Sequence, residues 1–312
     1  EWFSAVAYFF GKQLVETLQV PVGLINASWG DTTAEVWAER DAVLTNDAIR
    51  EQALKQDATP RADAQAPYRI GSAFHAMIYP LRDIPVAGAI WYQGESNMDA
   101  PGTYPELLAT LAASWRKLWK AEAADFPFYI AQICPYERAF DYRVPYANPA
   151  MRFAQQQASK LIANSGVICN DDIGDIHNIH PRNKQDVGKR FAFLALEEKY
   201  GKAGQPRSPI YAGLRINGRV LEVDFSYAGA GLETADGTSP TYFEVAGADR
   251  IFHPATAEIS GHTVRLTAAA VPEPAFARLG WSYTHTTNLR GKGGLPVSVF
   301  KTYDWVEPTE EP

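Results

Sequence analysis

Residues 86–98 read VAGAIWYQGESNM, and this stretch shows most clearly how the chain folds. Its first seven residues are small or apolar, as in a strand that is buried in a parallel sheet. Polar residues end the strand, apolar residues at helical spacing follow over residues 104–119, and a second strand-like run covers residues 128–134. This order predicts two parallel strands joined by a right-handed crossover through the helix.

The same alternation extends over the first two hundred residues and predicts a three-layer α/β domain with a parallel sheet. Ligand-binding residues in such sheets lie beyond the carboxyl ends of the strands. The remaining predicted elements are helices at residues 4–18, 151–162 and 183–200, and strands at residues 20–25 and 166–169.

Composition changes at residues 201–209, GKAGQPRSP, which is typical of a linker. Beyond it, helical spacing disappears and short strands alternate with turn residues. We therefore predict an α/β domain over residues 1–204 and a small all-β, sandwich-like domain over residues 205–312. The clearest strands of the second domain are predicted at residues 220–225, 241–245, 257–259 and 263–267.

The overall composition argues against two classes of function. Of the 312 residues 46% are hydrophobic, and the net charge is −7. The basic residues are scattered, so no nucleic-acid partner is expected. No apolar run approaches the ~20 residues that a membrane-spanning helix needs, and no signal-peptide pattern is present. Cys134 and Cys169 each end an apolar run, which favours buried thiols over a disulfide.

The first candidate site segment is residues 23–37, GLINASWGDTTAEVW. Gly30 lies where this segment turns, and a glycine lets a backbone N–H approach a ligand closely, as an oxyanion hole requires. An ordinary strand–turn–helix junction, with Asp31 or Thr32 as the N-cap, explains the pattern equally well.

The second segment follows the buried strand directly and contains five small or polar residues. Gln93 and Asn97 could donate hydrogen bonds to a developing oxyanion, with Gly94 between them. Glu95 could bind a sugar hydroxyl or orient a histidine, and Ser96 is a possible nucleophile by residue type. The alternative is a capped turn into the next helix.

The third segment is residues 171–184, DDIGDIHNIHPRNK. His180 precedes Pro181, which holds the histidine backbone extended. A histidine in this loop, with Asp172 and Asp175 nearby, suits a general base whose tautomer is set by a carboxylate. His177 is interpreted as structural or substrate-contacting. The alternative, a metal site built from both histidines and the aspartates, matches no known spacing.

Taken together, the segments resemble the sialate O-acetylesterase family, a branch of the SGNH hydrolases. WYQGESN at residues 91–97 and the DIGD…IHPxNK block at residues 172–184 are the most specific matches. The other matching segments run in order along the chain and are FSAV at 3–6, VPVGLINASWGDTTAEVW at 20–37, MIYPL at 77–81 and NLRGKGGLPVSVF at 288–300.

The resemblance implies an SGNH-type, flavodoxin-like parallel sheet and hydrolysis of acetyl esters on sugars. A serine would form an acetyl-enzyme, His180 would act as its base, and no metal or organic cofactor is expected. The implied partner is an acetylated sugar, sialic acid or another. The implied location is secreted, periplasmic or lysosomal.

The chain departs from the family pattern in ways that affect the site. The family's nucleophilic serine lies in a GQSNM block before the FSAV helix, and this sequence begins after that block. We therefore expect either a second chain that carries the block or a non-catalytic, carbohydrate-binding protein. Ser96, in GESNM, is the third possibility. His177 occupies the position three residues before the base, where an aspartate is common. Asp172 and Asp175 are therefore the candidates to orient His180, and a backbone carbonyl is the alternative.

Overall fold

Three parallel strands form the sheet of the first part of the chain. The computed structural model describes residues 3–59, 67–137 and 146–306. Strand β1 (Ala89–Tyr92) pairs with β2 (Phe128–Ala131), and β2 pairs with β3 (Ser165–Ile168). The spatial order follows the chain order, so β1 and β3 are the two edges of this sheet.

Helices connect the strands and cover both faces of the sheet. The α-helices are α1 (Ala5–Leu18), α2 (Arg40–Thr45), α3 (Arg50–Ala58), α4 (Tyr104–Trp119), α5 (Ala147–Leu161) and α6 (Lys184–Glu198). Shorter helical turns are 3₁₀ helices at Ala34–Trp37, Tyr79–Leu81, Glu95–Asn97 and Asp171–Ile173, and a π-helix at Phe74–Ile78.

Successive strand residues point to opposite faces of a sheet, and each face here has its own helical cover. On one face, Phe128 and Ile130 of β2 belong to the same buried cluster as Leu108 of α4 and Met151 of α5. On the other face, Tyr129 and Ala131 of β2 belong to a second buried cluster with Leu14 of α1 and Phe191 of α6. Burying one such large apolar side chain contributes about 1.5–3 kcal/mol.

Capping side chains set the start of α1 and of α6. At the start of α1, the Ser4 hydroxyl accepts a hydrogen bond from the Ala7 N–H at 3.2 Å. At the start of α6, Asn183 Oδ1 accepts from the Asp186 N–H at 3.1 Å. Both satisfy helix N–H groups that have no partner within the helix. The predicted helices at residues 4–18, 104–119, 151–162 and 183–200 are confirmed to within a few residues.

The strand predicted at residues 20–25 is wrong, because the structure assigns no strand there. The segment has the apolar composition of a strand, but a strand also needs a neighbour with which to exchange hydrogen bonds. Within the described residues it pairs with none. Val20 and Ile25 remain 49% and 48% exposed.

Beyond α6 the described chain is all-β. The strands are β4 (Ile210–Asn217), β5 (Val220–Ser226), β6 (Leu232–Thr234), β7 (Phe243–Ala246), β8 (His253–Pro254), β9 (Thr256–Ser260), β10 (Thr263–Thr267), β11 (Phe276–Leu279), β12 (Leu289–Gly291) and β13 (Phe300–Lys301). Two four-stranded antiparallel sheets, β4-β5-β10-β9 and β13-β11-β7-β8, share one buried core, as in a sandwich. The change occurs between Glu198 and Ile210, and the boundary at residue 204 stays a prediction.

Candidate functional site

The three segments singled out from the sequence follow or approach the carboxyl ends of the parallel strands. Gln93 to Asn97 follow β1, and the loop from Asn170 to His180 follows β3. Residues 132–137, which follow β2, lie against that loop, because the Glu137 N–H donates to the Ile176 carbonyl at 2.6 Å. Because the strands are parallel, their carboxyl ends lie on the same side of the sheet. These polar residues gather there, as the sequence predicts.

Gln93 and Asn97 belong to a buried hydrogen-bond network. The Gln93 amide donates to the Thr32 carbonyl at 3.0 Å and to Asn97 Oδ1 at 2.7 Å. The Asn97 amide donates to the Glu35 carboxylate at 3.0 Å. Both Gln93 amide hydrogens are therefore engaged within the protein. The network fixes residues 32–35 against the end of β1, and donation to an oxyanion stays a prediction for both amides.

Gly94 lies where the protein backbone is tightly enclosed. A Cβ at this position would come within 2.7 Å of both the Gln155 side-chain amide and Ile133 Cγ2. Gln155, on α5, donates to the Gln93 carbonyl at 2.8 Å and accepts from the Ile133 N–H at 2.9 Å. Gly94 thus permits α5 to approach and hold the loop between β1 and α4.

Glu95 carries a carboxyl group that interacts electrostatically with two basic residues of the histidine loop. Burial raises the pKa of Glu95, and the charges of Lys184 and His180 act in the opposite direction. Burial also lowers the pKa of Lys184, against the effect of Cys134 and Glu95. The Lys184 ammonium lies 5.4 Å from the centre of the Tyr92 ring. The Glu95 carboxyl, which follows β1, thus lies within electrostatic range of His180 and Lys184, which follow β3.

A small pocket opens beside Glu95. Its walls come from the loops after β1 and β2, from the start of α5 and from the histidine loop. The lining residues are Glu95, Met98, Cys134, Pro135, Tyr136, Asn148, Asn178 and Ile179.

His180 itself is exposed. Its backbone N–H donates to Asn178 Oδ1 at 2.9 Å, which fixes the turn before the ring. No hydrogen-bond partner for the imidazole ring lies among the residues that the structure describes. The ring is therefore accessible to a substrate hydroxyl and to water.

Asp172 and Asp175, the predicted orienting acids, have other partners. Asp172 accepts two hydrogen bonds from Arg190 on α6, each at 2.7 Å. Asp175 Oδ1 accepts from the His177 N–H at 3.0 Å. Neither carboxylate forms a hydrogen bond with the His180 ring in the structure. His177 is exposed, and its Nδ1 lies 2.8 Å from Glu137 Oε2.

Ser96 and Gly30 lie at the outer side of the site. The Ser96 hydroxyl donates to Asp31 Oδ1 at 3.3 Å. Gly30 is exposed, with open space around the position of a Cβ. Asp31 has a φ of 56°, in the left-handed region that favours glycine.

Several residues that organise the site carried no signal in the sequence. Arg152 of α5 and Asp171 form a fully buried ion pair beneath the histidine loop. Tyr283, from the all-β part, holds both flanks of residues 137–146. Its carbonyl accepts from the Tyr136 N–H at 2.9 Å, and its hydroxyl accepts from the Ala147 N–H at 3.1 Å. Such partners cannot be read from local spacing because they lie far away in the chain.

Two absences hold for the described ranges 3–59, 67–137 and 146–306. No helix there is long and apolar enough to cross a membrane. Nor does any group of three or more His, Cys, Asp or Glu side chains come together there as a metal ion would require.

Comparison with known proteins identifies the class of protein. The family model described as carbohydrate esterase, sialic acid-specific acetylesterase matches residues 5–197, and the chain belongs to this family. Its relatives include the sialate O-acetylesterase of Rattus norvegicus, 29% identical over an alignment of 239 residues that covers 64% of this chain and 44% of that protein. The human sialate O-acetylesterase is 28% identical over 221 residues, covering 65% of this chain and 40% of that protein.

The similarity extends to a solved structure. A carbohydrate acetylesterase from Xanthomonas citri superposes with a TM-score of 0.84 at 31% identity, over 97% of this chain and 66% of that one. The alignments with the rat and human relatives cover 44% and 40% of those proteins, so the chain matches less than half of their length.

Proposed function

We propose that this chain forms the greater part of a carbohydrate O-acetylesterase site, which removes acetyl groups from sialic acid or another acetylated sugar. The observation that supports this most directly is that the loops after β1 and β3 lie together at the carboxyl ends of the strands, where Glu95, Asn178 and Ile179 line one pocket and the next residue, His180, is exposed. An exposed histidine within electrostatic range of a carboxyl group is a suitable general base. The proposal includes an SGNH-type sheet and action on secreted, periplasmic or lysosomal glycans, as the family resemblance implies.

The proposed reaction is acyl transfer through a serine. His180 removes the proton from a serine hydroxyl as its oxygen attacks the acetyl carbonyl carbon. The C–O bond to the sugar then breaks, and His180 returns the proton to the leaving sugar oxygen. Water, deprotonated by His180, attacks the acetyl-enzyme, which releases acetate and restores the serine.

Glu95 is the acid that we propose to assist His180. Asp172 is held by Arg190, and Asp175 closes its own turn. The charge of Glu95, by contrast, interacts with His180. An ionised Glu95 would stabilise the imidazolium that forms as the serine is deprotonated.

The proposed reaction also needs a serine nucleophile. The hydroxyl of Ser96 points to the Asp31 carboxylate rather than to a histidine. We therefore propose that the serine comes from a second polypeptide segment. The same contact supports the alternative function, in which the site binds an acetylated sugar without cleaving it.

The test compares His180→Ala and Ser96→Ala with the unchanged chain, each with and without a peptide that carries the GQSNM block, using p-nitrophenyl acetate and an acetylated sialic acid. His177→Ala is the matched control, because His177 is an exposed histidine of the same loop. Turnover that requires His180 but neither Ser96 nor His177 supports the esterase with an external serine. Loss of turnover in Ser96→Ala would instead make Ser96 the nucleophile. Saturable binding of the acetylated sugar without any turnover, even with the serine-bearing peptide present, would support the binding function.

A further inference from the structure

The pocket beside Glu95 contains a buried amide whose oxygen lacks a hydrogen bond. Asn148 lies in the first turn of α5 and is 1% exposed. Its amide nitrogen donates to the Cys134 carbonyl at 2.9 Å, and since a carbonyl only accepts, this contact fixes which atom is the nitrogen. No described residue donates to the remaining atom, Oδ1. Buried acceptors normally have a donor, so this oxygen requires one that the described residues do not supply.

The size of the pocket limits what can provide that donor. Asn148 lines the pocket together with Glu95 and Asn178, and the volume is about 10 Å³. A single water molecule needs roughly this much space. A sugar ring is far larger, whereas a hydroxyl group is about as large as a water molecule. Only one small group of a larger ligand can therefore enter the pocket.

The polar groups of the pocket suit a hydroxyl. Asn148 Oδ1 is an acceptor. On the opposite wall, Asn178 Oδ1 accepts from the His180 N–H at 2.9 Å, and no described residue engages the Asn178 amide nitrogen. A hydroxyl has one donor hydrogen and two acceptor lone pairs, so it can donate to Asn148 and accept from Asn178. A methyl group, such as that of an acetyl ester, would leave the Asn148 oxygen unpaired.

We propose that this pocket receives one hydroxyl group of the bound sugar, and that Asn148 is a specificity-determining residue whose Oδ1 accepts the hydrogen bond of that hydroxyl. Ile179, which lines the pocket, directly precedes His180. A sugar held by this hydroxyl is thus presented to the exposed imidazole. That the ligand is a sugar rests on the proposed function, whereas the need for a hydroxyl follows from the pocket alone.

The probes are N-acetylneuraminic acid and methyl glucoside, each with its monodeoxy derivatives. They carry no ester, so isothermal titration calorimetry measures their binding to the unchanged chain without turnover. For the sugar that binds, one deoxy derivative should bind about tenfold more weakly or worse, because it leaves the buried Asn148 oxygen without a donor. Derivatives that retain this hydroxyl should bind more nearly like the parent sugar.

A protein variant assigns this preference to Asn148. Asn148→Leu keeps a side chain of similar shape and removes the acceptor, so it should bind the parent sugar and that deoxy derivative equally. Partial unfolding would lower both apparent affinities alike and leave their ratio unchanged. Gln156→Leu is the matched control, because Gln156 is a fully buried amide of α5 that has no described hydrogen-bond partner and does not line the pocket. It should keep the full preference.

The outcomes separate this proposal from the proposed function. A preference that persists in Asn148→Leu overturns the hydroxyl pocket, and so does the absence of any hydroxyl preference or of saturable binding of both sugars in the unchanged chain. A preference that depends on Asn148, without acetyl-ester turnover even when the serine-bearing peptide is present, leaves the pocket in place while the esterase function fails. Turnover of an acetylated sialic acid with an unchanged KM in Asn148→Leu would do the reverse.

Discussion

Asp172 and Arg190 form a two-pronged ion pair, with both carboxylate oxygens 2.7 Å from guanidinium nitrogens. Arg190 also donates to the Cys169 carbonyl at 2.6 Å, so it links α6 to the end of β3. The Arg190 side chain is only 6% exposed. Planar pairs of this kind are among the stronger polar contacts in proteins. Their role here is to hold the first turn of the histidine loop on the sheet.

Asp172→Asn should therefore lower stability more than it changes the chemistry at His180. It leaves the nearly buried Arg190 without its charged partner, and we expect a loss of about 1–3 kcal/mol in the free energy of unfolding. Urea unfolding measures this loss. Asp175→Asn, in the exposed part of the same loop, is the control and should change stability by less than about 0.5 kcal/mol. Equal stability of the two variants would contradict a structural role for Asp172.

The pKa of Glu95 predicts how stability depends on pH. Burial raises this pKa above its ordinary value of 4.5. As pH rises above 4.5, the unfolded chain loses its Glu95 proton before the folded protein does, which stabilises the unfolded state. The unchanged protein should therefore lose stability relative to Glu95→Gln between pH 4.5 and the raised folded pKa. Urea midpoints of both proteins from pH 4 to 8 measure the difference.

Glu258→Gln, at an exposed position on β9, controls for the substitution itself. If the stability difference between Glu95→Gln and the unchanged protein did not vary with pH, the burial argument for Glu95 would be wrong.

The buried pair of Arg152 and Asp171 should be the most sensitive ion pair near the site. Their side chains are 0% and 1% exposed. Arg152→Met leaves a buried carboxylate without its partner, at an expected cost of about 3–5 kcal/mol. The double variant Arg152→Met, Asp171→Leu should recover part of this loss, because it removes both charges. Thermal unfolding of the single and double variants tests this order.

An exposed ion pair on the protein surface serves as the comparison for the buried pair. Lys12 and Glu16 form an exposed pair on α1, and Lys12→Met should lower the free energy of unfolding far less than Arg152→Met, because solvent screens exposed charges. A loss for Arg152→Met as small as that for Lys12→Met would show that the buried pair is not structurally important.

Gly94→Ala should destabilise the loop between β1 and α4. The added methyl group would come within 2.7 Å of Gln155 and Ile133, and relieving the overlap should cost about 1–3 kcal/mol. Gly30→Ala is the matched control, because nothing lies within 4 Å of its Cβ position. Differential scanning calorimetry should show a lower Tm for Gly94→Ala alone. Tolerance of both substitutions would mean that α5 can move away from the loop.

Much of the fold could be predicted because its signals are local. Within α4, β1 and β2, each apolar residue follows the previous one within a few positions. The helical or strand spacing of each element is therefore visible in the sequence. The strand at residues 20–25 was predicted wrongly for the opposite reason. Its apolar composition is local, but pairing depends on a neighbour that no described residue provides.

The sequence by itself determined the alternation of strands and helices, the family, and the three segments that meet at the site. Only the tertiary structure decided which polar groups are partners. Asn97 meets Glu35 across 62 residues of sequence, and Asp172 meets Arg190 rather than His180. Local patterns act over a few residues, whereas these contacts depend on how the crossovers bring distant loops together. The partners of the acids, and therefore their roles, follow from packing.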